Sequence, residues 1–245
     1  MKKVVITGAR GQIGRVLTAG LSGKYRIRGI DLPEHDLTDW PTAVAAVEGA
    51  DVVVHLAWDT VNGNARKHRR WPPNEDMSEN VFLASRICGV RRVIFASSVH
   101  VEDYRHWNRS YLLSPMRDAV PDSPYGSQKL AMEALGKWHS ELGLEFIAVR
   151  FGGVAPRLEP WDDIPIVGLS HPDCIAMIRT CIDIDMQSMP GNFAVFYAVS
   201  DNGLRQVHDT VNPFGWHPKD DAAEFYCIKP GHPDFMWKPD RTPLT

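Results

Sequence analysis

Lys3-Val-Val-Ile-Thr-Gly-Ala-Arg-Gly-Gln-Ile-Gly14 is the stretch that decides the fold. A β-branched apolar run is stopped by Gly8, and Ile13, Val16, Leu17 and Leu21 then follow at helical spacing. The run reads as a buried strand, and the spacing predicts a helix over 12–22. The three glycines between them have separate uses. Gly8 permits a tight turn, Gly11 lets the backbone approach a pyrophosphate, and Gly14 allows close helix–strand packing. Amides at the helix N-terminus, where Gln12 and Ile13 lie, then face the phosphates. Arg10 either reaches a phosphate or points to solvent.

Working outward, Tyr25–Ile30 reads as a second strand ending at Asp31, 17 residues beyond Gly14. An aspartate there accepts hydrogen bonds from the adenosine ribose and repels a 2′-phosphate, which favours NAD over NADP. A helix is expected over Pro41–Val47, with Thr38 or Asp39 as N-cap and Pro41 in its first turn. Strands are expected over Asp51–Ala57, Arg92–Ala96, Leu144–Phe151 and Asn192–Val199. Helices are expected over Glu79–Cys88, from Ser123-Pro124 to about Leu142, and over His171–Ile184. Pro156–Gly168 reads as loop, and the Pro-, Gly- and Trp-rich tail from Gly203 as a wrap over the surface.

Strands alternating with helices give a doubly wound parallel sheet, an α/β fold. Residues 1–245 read as one domain, with substrate-binding elements mainly in 152–191 and 200–245. Only Leu32-Pro-Glu-His35 separates Asp31 from Asp36. Four residues cannot hold the helix and strand that normally intervene, so the third strand is expected to be missing.

The charge balance is 27 basic against 30 acidic residues, net −3. It lacks the basic footprint of a nucleic-acid binder. The apolar runs are too short to span a bilayer, and no signal-peptide core follows Met1-Lys2-Lys3. Cys88, Cys174, Cys181 and Cys227 show no CxxC and read as free thiols of the cytoplasm. The ten histidines have no metal-ligand spacing, so no metal is expected.

Tyr125-Gly-Ser-Gln-Lys129 places a phenol and an ammonium four residues apart, on one face of a helical first turn. A tyrosine with a pKa of about 10 is a poor base near neutrality. An adjacent ammonium favours the phenolate, and Lys129 can also hold a ribose hydroxyl. Ser97-Ser98 end the preceding strand, where a hydroxyl polarises a substrate carbonyl or alcohol.

Thr7-Gly-x-x-Gly-x-x-Gly14, Asp36-Leu-Thr-Asp39, His55-Leu-Ala57, Asn80, Phe95-Ala-Ser-Ser98 and Pro124-Tyr-Gly-Ser-Gln-Lys129 together resemble the extended short-chain dehydrogenase/reductases, the NAD-dependent epimerase/dehydratase group. The resemblance covers essentially the whole chain. It implies a Rossmann-type fold and a catalytic Ser98–Tyr125–Lys129 triad. It also implies an NAD site that includes Asp36, Leu37, Leu56, Ala57 and Asn80, and homodimers pairing the helices around 79–89 and 125–142.

Within that group the chain is similar to the short sugar dehydrogenases, the uronate dehydrogenases and archaeal sugar-phosphate dehydrogenases. Ser97-Ser-Val-His100, Leu169-Ser-His-Pro-Asp173, Tyr197-Ala-Val-Ser-Asp-Asn202 and the segment Gly215–Phe225 carry that likeness. Thr60, Ser98, Val99, His100 and Gly153 are the candidate substrate contacts. Three positions depart from the uronate pattern. Val99 replaces an asparagine, Gly153 a serine, and Asp163 the arginine that holds the sugar acid, with Arg157 the nearest cation. The uronate itself is therefore not carried over.

The basic run Arg66-Lys-His-Arg-Arg70 is either a solvated face or an attractor for an anionic substrate. Trp107, Trp161, Trp216 and Trp237 either cover apolar surface or line a sugar site. The leading expectation is an NAD-dependent oxidation of a small sugar or sugar derivative, with Tyr125 as base. The alternatives are an epimerase or dehydratase using NAD transiently, and a non-catalytic NAD-binding protein.

Overall fold

The computed structural model describes residues 1–62, 69–102, 119–154, 167–188, 190–201 and 214–220. Six strands, β1 (Lys3–Thr7), β2 (Arg26–Ile30), β3 (Val52–His55), β4 (Arg92–Ser98), β5 (Glu145–Phe151) and β6 (Phe193–Ala198), form one sheet in the order β2-β1-β3-β4-β5-β6. Every pairing is parallel. Parallel strands need crossovers. These include α1 (Gln12–Leu21), α2 (Trp40–Val47), α3 (Pro72–Ile87), α4 (Pro124–Glu141) and α5 (His171–Asp183).

Alternate strand residues feed two cores. Val4, Ile6, Val52 and Val54 pack with Leu17, Leu21, Cys174, Met177 and Ile178 under α1 and α5. Val5, Val53, Val93 and Phe95 pack with Ala43, Val47, Val81, Phe82 and Met132 under α2, α3 and α4. Burial on both faces explains why β1 and β3 read as unbroken apolar runs.

Residues 31–39 contain turns but no strand, so among the described residues β2 is the sheet edge, and the strand that normally follows Asp31 is missing as expected. Asp39 caps α2, its carboxylate accepting from the Thr42 N–H at 3.0 Å. Two expectations are corrected. β3 stops at His55, and α3 starts at Pro72 rather than Glu79. Its first two turns carry little apolar periodicity because the residues they bury, Asn74 and Ser78, are polar. Asn74 is paired with the backbone of Asp59 through both ends of its amide, at 2.7 and 3.2 Å. Residues 63–68, 103–118, 155–166, 189, 202–213 and 221–245 lie outside the described residues. With them go most of the Arg66–Arg70 run, Arg157, Asp163, Trp107, Trp161, Trp237 and most of the expected wrap.

Candidate active site

Because the strands are parallel, the turns after β1, β3, β4 and β5 all emerge at one end of the sheet, where ligands of such folds bind. The glycine loop leads this set. Gly11 occupies the N-cap of α1, and no side chain caps that helix. The first-turn N–H groups of a helix have no intrahelical acceptor, which suits the oxygens of a pyrophosphate. A Cβ on Gly14 would overlap the Gly8 carbonyl, so only glycine permits this tight entry into α1. The Gln12 amide reaches across to the Val154 carbonyl beyond β5. Ile13 packs against the core under α1.

Leu56 and Ala57 are held against this loop through Thr7. The Thr7 hydroxyl accepts from both of their N–H groups at 3.2 Å. With both lone pairs used, its proton is directed to His55 Nδ1, 2.7 Å away. His55 is therefore neutral with its proton on Nε2, which donates to the Ser78 hydroxyl at 3.1 Å. Ser78 passes its own proton to the Asn74 carbonyl at 2.8 Å. Burial, with a contribution from Lys129, pushes His55 down to about 3.

At the other end of the loop, the Asp31 carboxylate accepts from the Arg10 N–H at 2.7 Å and the Leu32 N–H at 2.8 Å. A carboxylate has roughly four acceptor positions, so capacity for a ribose remains. The Arg10 guanidinium is more than half exposed. It binds Glu34 and the Leu32 carbonyl. Asp36 accepts from the N–H and hydroxyl of Thr38, and the Asn80 amide donates to the Leu37 and Thr38 carbonyls. Asn80 thus ties α3 to the turn that carries Asp36 and Leu37.

The triad residues come together at the β4–α4 side. Ser98 ends β4, and its oxygen accepts from the His100 N–H at 3.2 Å. Ser123 caps α4, accepting from the Gly126 N–H at 3.1 Å, and Pro124 fills the first turn. This places Tyr125 and Lys129 on one side of α4. Burial raises the Tyr125 phenol above its ordinary value. A hydrogen bond with Ser98 opposes the rise, and Asp122 adds to it. Lys129 does not lower it in this structure. Its ammonium is buried, donates to the Ala96 carbonyl at 2.7 Å, and lies 5.9 Å from the Tyr125 ring centre. Burial pushes Lys129 well below its usual range, and Glu133, one turn further along α4, opposes that shift.

Several neighbours escaped the sequence reading. Trp58 meets Tyr125 edge to face at 6.0 Å. Asp122 accepts or shares a proton with His100 Nδ1 at 2.7 Å, and the His100 ring meets Tyr125 edge-on at 5.5 Å. Arg150 clasps Glu133 through two hydrogen bonds of 3.0 and 2.8 Å, and the Ser97 hydroxyl donates to the same carboxylate. Ser97 and Arg150 are paired across β4 and β5, so this buried group locks α4 to the strand end that carries Ser98.

Of the remaining candidates, Val99 is buried in the turn of 3-10 helix at Val99–Val101. Gly153 is bridged to Gly168, and Thr60 is exposed in a turn built on Asp59. The three weaker motif segments interlock. Ser200 donates to Asp173 at 2.7 Å, the N–H groups of Lys219 and Asp220 reach Asp173 at 2.9 and 3.1 Å, and Ser170 donates to Asp220 at 2.6 Å. Trp216 is buried against the core under α1 and α5, so it covers apolar surface.

A dinucleotide loop sharing a sheet end with a buried phenol and ammonium marks the class, a nicotinamide-dependent enzyme of α/β type. More narrowly, the chain belongs to the NAD-dependent epimerase/dehydratase family, whose model matches residues 4–157. It is 27% identical over 252 residues to an L-arabinose 1-dehydrogenase (NAD(P)(+)) of Haloferax volcanii, covering 91% of this chain and 98% of that protein. It is 28% identical over 252 residues to a uronate dehydrogenase of Agrobacterium fabrum, covering 92% and 87%. The crystal structure of uronate dehydrogenase from Agrobacterium tumefaciens superposes with a TM-score of 0.79 at 27% identity, over 96% of this chain and 92% of that one.

Proposed function

We propose that this chain is an NAD-dependent dehydrogenase that oxidises a small sugar or sugar derivative through Ser98, Tyr125 and Lys129. The observation that carries the reading is the convergence of three side chains: Ser98 at the end of β4, the buried Tyr125 phenol whose upward shift Ser98 opposes, and Lys129 one turn along the same helix. The relatives at 27% and 28% identity described above are dehydrogenases, which supports net oxidation over epimerisation. The first-turn amides of α1 would hold the pyrophosphate and Asp31 the adenosine ribose, with Asp36, Leu37, Leu56, Ala57 and Asn80 lining the site. NAD supplies the hydride acceptor when bound. Ser98 orients the substrate hydroxyl, and Tyr125 takes its proton. Lys129 holds a ribose hydroxyl and, once turned from Ala96 toward the phenol, favours its ionised form. Val99, His100, Gly153 and Thr60 are the proposed contacts of the sugar. The substrate-binding elements belong to 152–191 and 200–245.

The same reading extends to a cytoplasmic homodimer. Ile87 on α3, with Trp138 on α4 and Leu142 just after it, is an exposed apolar side chain suited to helix pairing between two copies. Among the described residues no helix is long and apolar enough to cross a membrane. Cys88, Cys174 and Cys181 are free thiols, suited to a reducing compartment.

The deciding experiment offers aldoses, uronates and sugar phosphates with NAD. Stoichiometric NADH formation on one class is expected. Conversion of a sugar to its epimer without net NADH would replace this reading with the epimerase.

A further inference from the structure

We propose that Glu34 sets the dinucleotide preference of this chain by holding the Arg10 guanidinium away from the ribose 2′-position. The inference rests on the reading that Asp31 receives the adenosine ribose. Arg10 immediately precedes Gly11 in the glycine loop, and its backbone N–H already binds the Asp31 carboxylate. Its side chain folds over the turn that follows β2. Nη1 donates to the Leu32 carbonyl at 2.6 Å and to Glu34 Oε2 at 2.7 Å, and Nη2 donates to Glu34 Oε1 at 3.0 Å. This is a two-pronged guanidinium–carboxylate fork, the arrangement that satisfies arginine most fully.

A cation at this point has an obvious alternative partner. A phosphate on the ribose 2′-oxygen would lie beside Asp31, within reach of the same guanidinium, and phosphate accepts the same fork geometry as carboxylate. Arg10 alone would offset the repulsion that Asp31 imposes on that phosphate. Glu34 occupies the fork instead, so the cation is spent inside the protein and the site presents net negative charge to a 2′-phosphate. The missing third strand makes this possible. With no strand after Asp31 the chain turns back at once, and Glu34, three residues on, returns to the glycine loop. Both side chains are more than half exposed, at 57% and 53%, so the pair contributes little to stability and its removal leaves the fold intact.

The test titrates NAD and NADP against wild type, Glu34→Gln, Arg10→Gln and the double variant, followed by calorimetry, with circular dichroism confirming the fold. Glu34→Gln should tighten NADP by about three- to fivefold, the upper scale of one exposed charge pair, and leave NAD unchanged within about 1.5-fold. The gain should vanish in the Arg10→Gln background. An unchanged NADP affinity in Glu34→Gln overturns the inference. So does an equal gain with and without Arg10, which would make Glu34 a simple repelling charge. Absence of saturable NAD binding by wild type would overturn the cofactor-site reading beneath it, a distinguishable result.

Discussion

The Lys129 ammonium sits 3.6 Å above the centre of the Trp58 ring. The indole face is electron-rich and attracts a cation most strongly where water is excluded. Together with the Ala96 carbonyl, it gives a buried lysine two partners inside the protein. In the mechanism proposed above, Lys129 leaves that face to reach a ribose hydroxyl. Trp58 emission should therefore change as NAD is added. The chain has eight tryptophans, so the measurement is the difference between wild type and Trp58→Phe. Identical quenching in the two proteins would mean that the indole takes no part.

Tyr125→Phe should lower turnover by about 10²–10⁴-fold while leaving NAD binding nearly unchanged. The loss corresponds to roughly 3–5 kcal/mol of barrier at about 1.4 kcal/mol per decade. Lys129→Ala should cost at least as much and also weaken NAD. Steady-state rates and NAD titrations of both variants check the asymmetry. Near-normal turnover by Tyr125→Phe would exclude the phenol as base.

Gly126→Ala should impair both stability and rate. The added methyl would overlap the His100 carbonyl, and backbone on both sides resists movement. Overpacking of this kind costs about 1–3 kcal/mol. Any relief displaces the start of α4 from the 99–101 turn, and so Tyr125 from Ser98. Thermal unfolding and kcat of the variant measure the two effects, and wild-type values for both would refute the constraint.

Acid should destabilise the protein through His55. Its folded-state pKa of about 3 lies below the ordinary value of 6.5. Between these values the unfolded chain binds a proton that the folded one does not, so stability falls as pH falls. The slope from this one group approaches about 1.4 kcal/mol per pH unit well inside that window. Urea unfolding of wild type and His55→Asn at several pH values from 7.5 to 4.5 should show a shallower slope in the variant. Parallel slopes would show that His55 does not carry the effect.

The sheet and the glycine loop were legible because their causes are local. A buried parallel strand must be apolar throughout, and the Gly8–Gly14 turn needs its glycines in fixed places. The deletion after Asp31 was legible by counting residues. The start of α3 was hidden because a helix that buries Asn74 and Ser78 loses the apolar rhythm by which helices are read. Trp58, Asp122 and the Ser97–Glu133–Arg150 group were hidden for another reason. Each matters through a partner more than ten residues away, and nothing in its own neighbourhood marks it. Spacing put Tyr125 and Lys129 on one side of a helix, as α4 has them, but spacing does not show that the ammonium rests on a carbonyl and an indole.

Losing the strand beyond β2 has an effect far from catalysis. An open edge presents free backbone donors and acceptors, and such edges recruit strands from other molecules into mixed sheets. Here β2 is only five residues long and carries Arg26 and Arg28, with Gly29 between them and its end. Arg28 is anchored to the Ala46 and Glu48 carbonyls at the end of α2. A short, cationic, pinned border repels a second copy of itself. The economy of a smaller sheet is thus matched by a guard against self-association along that border.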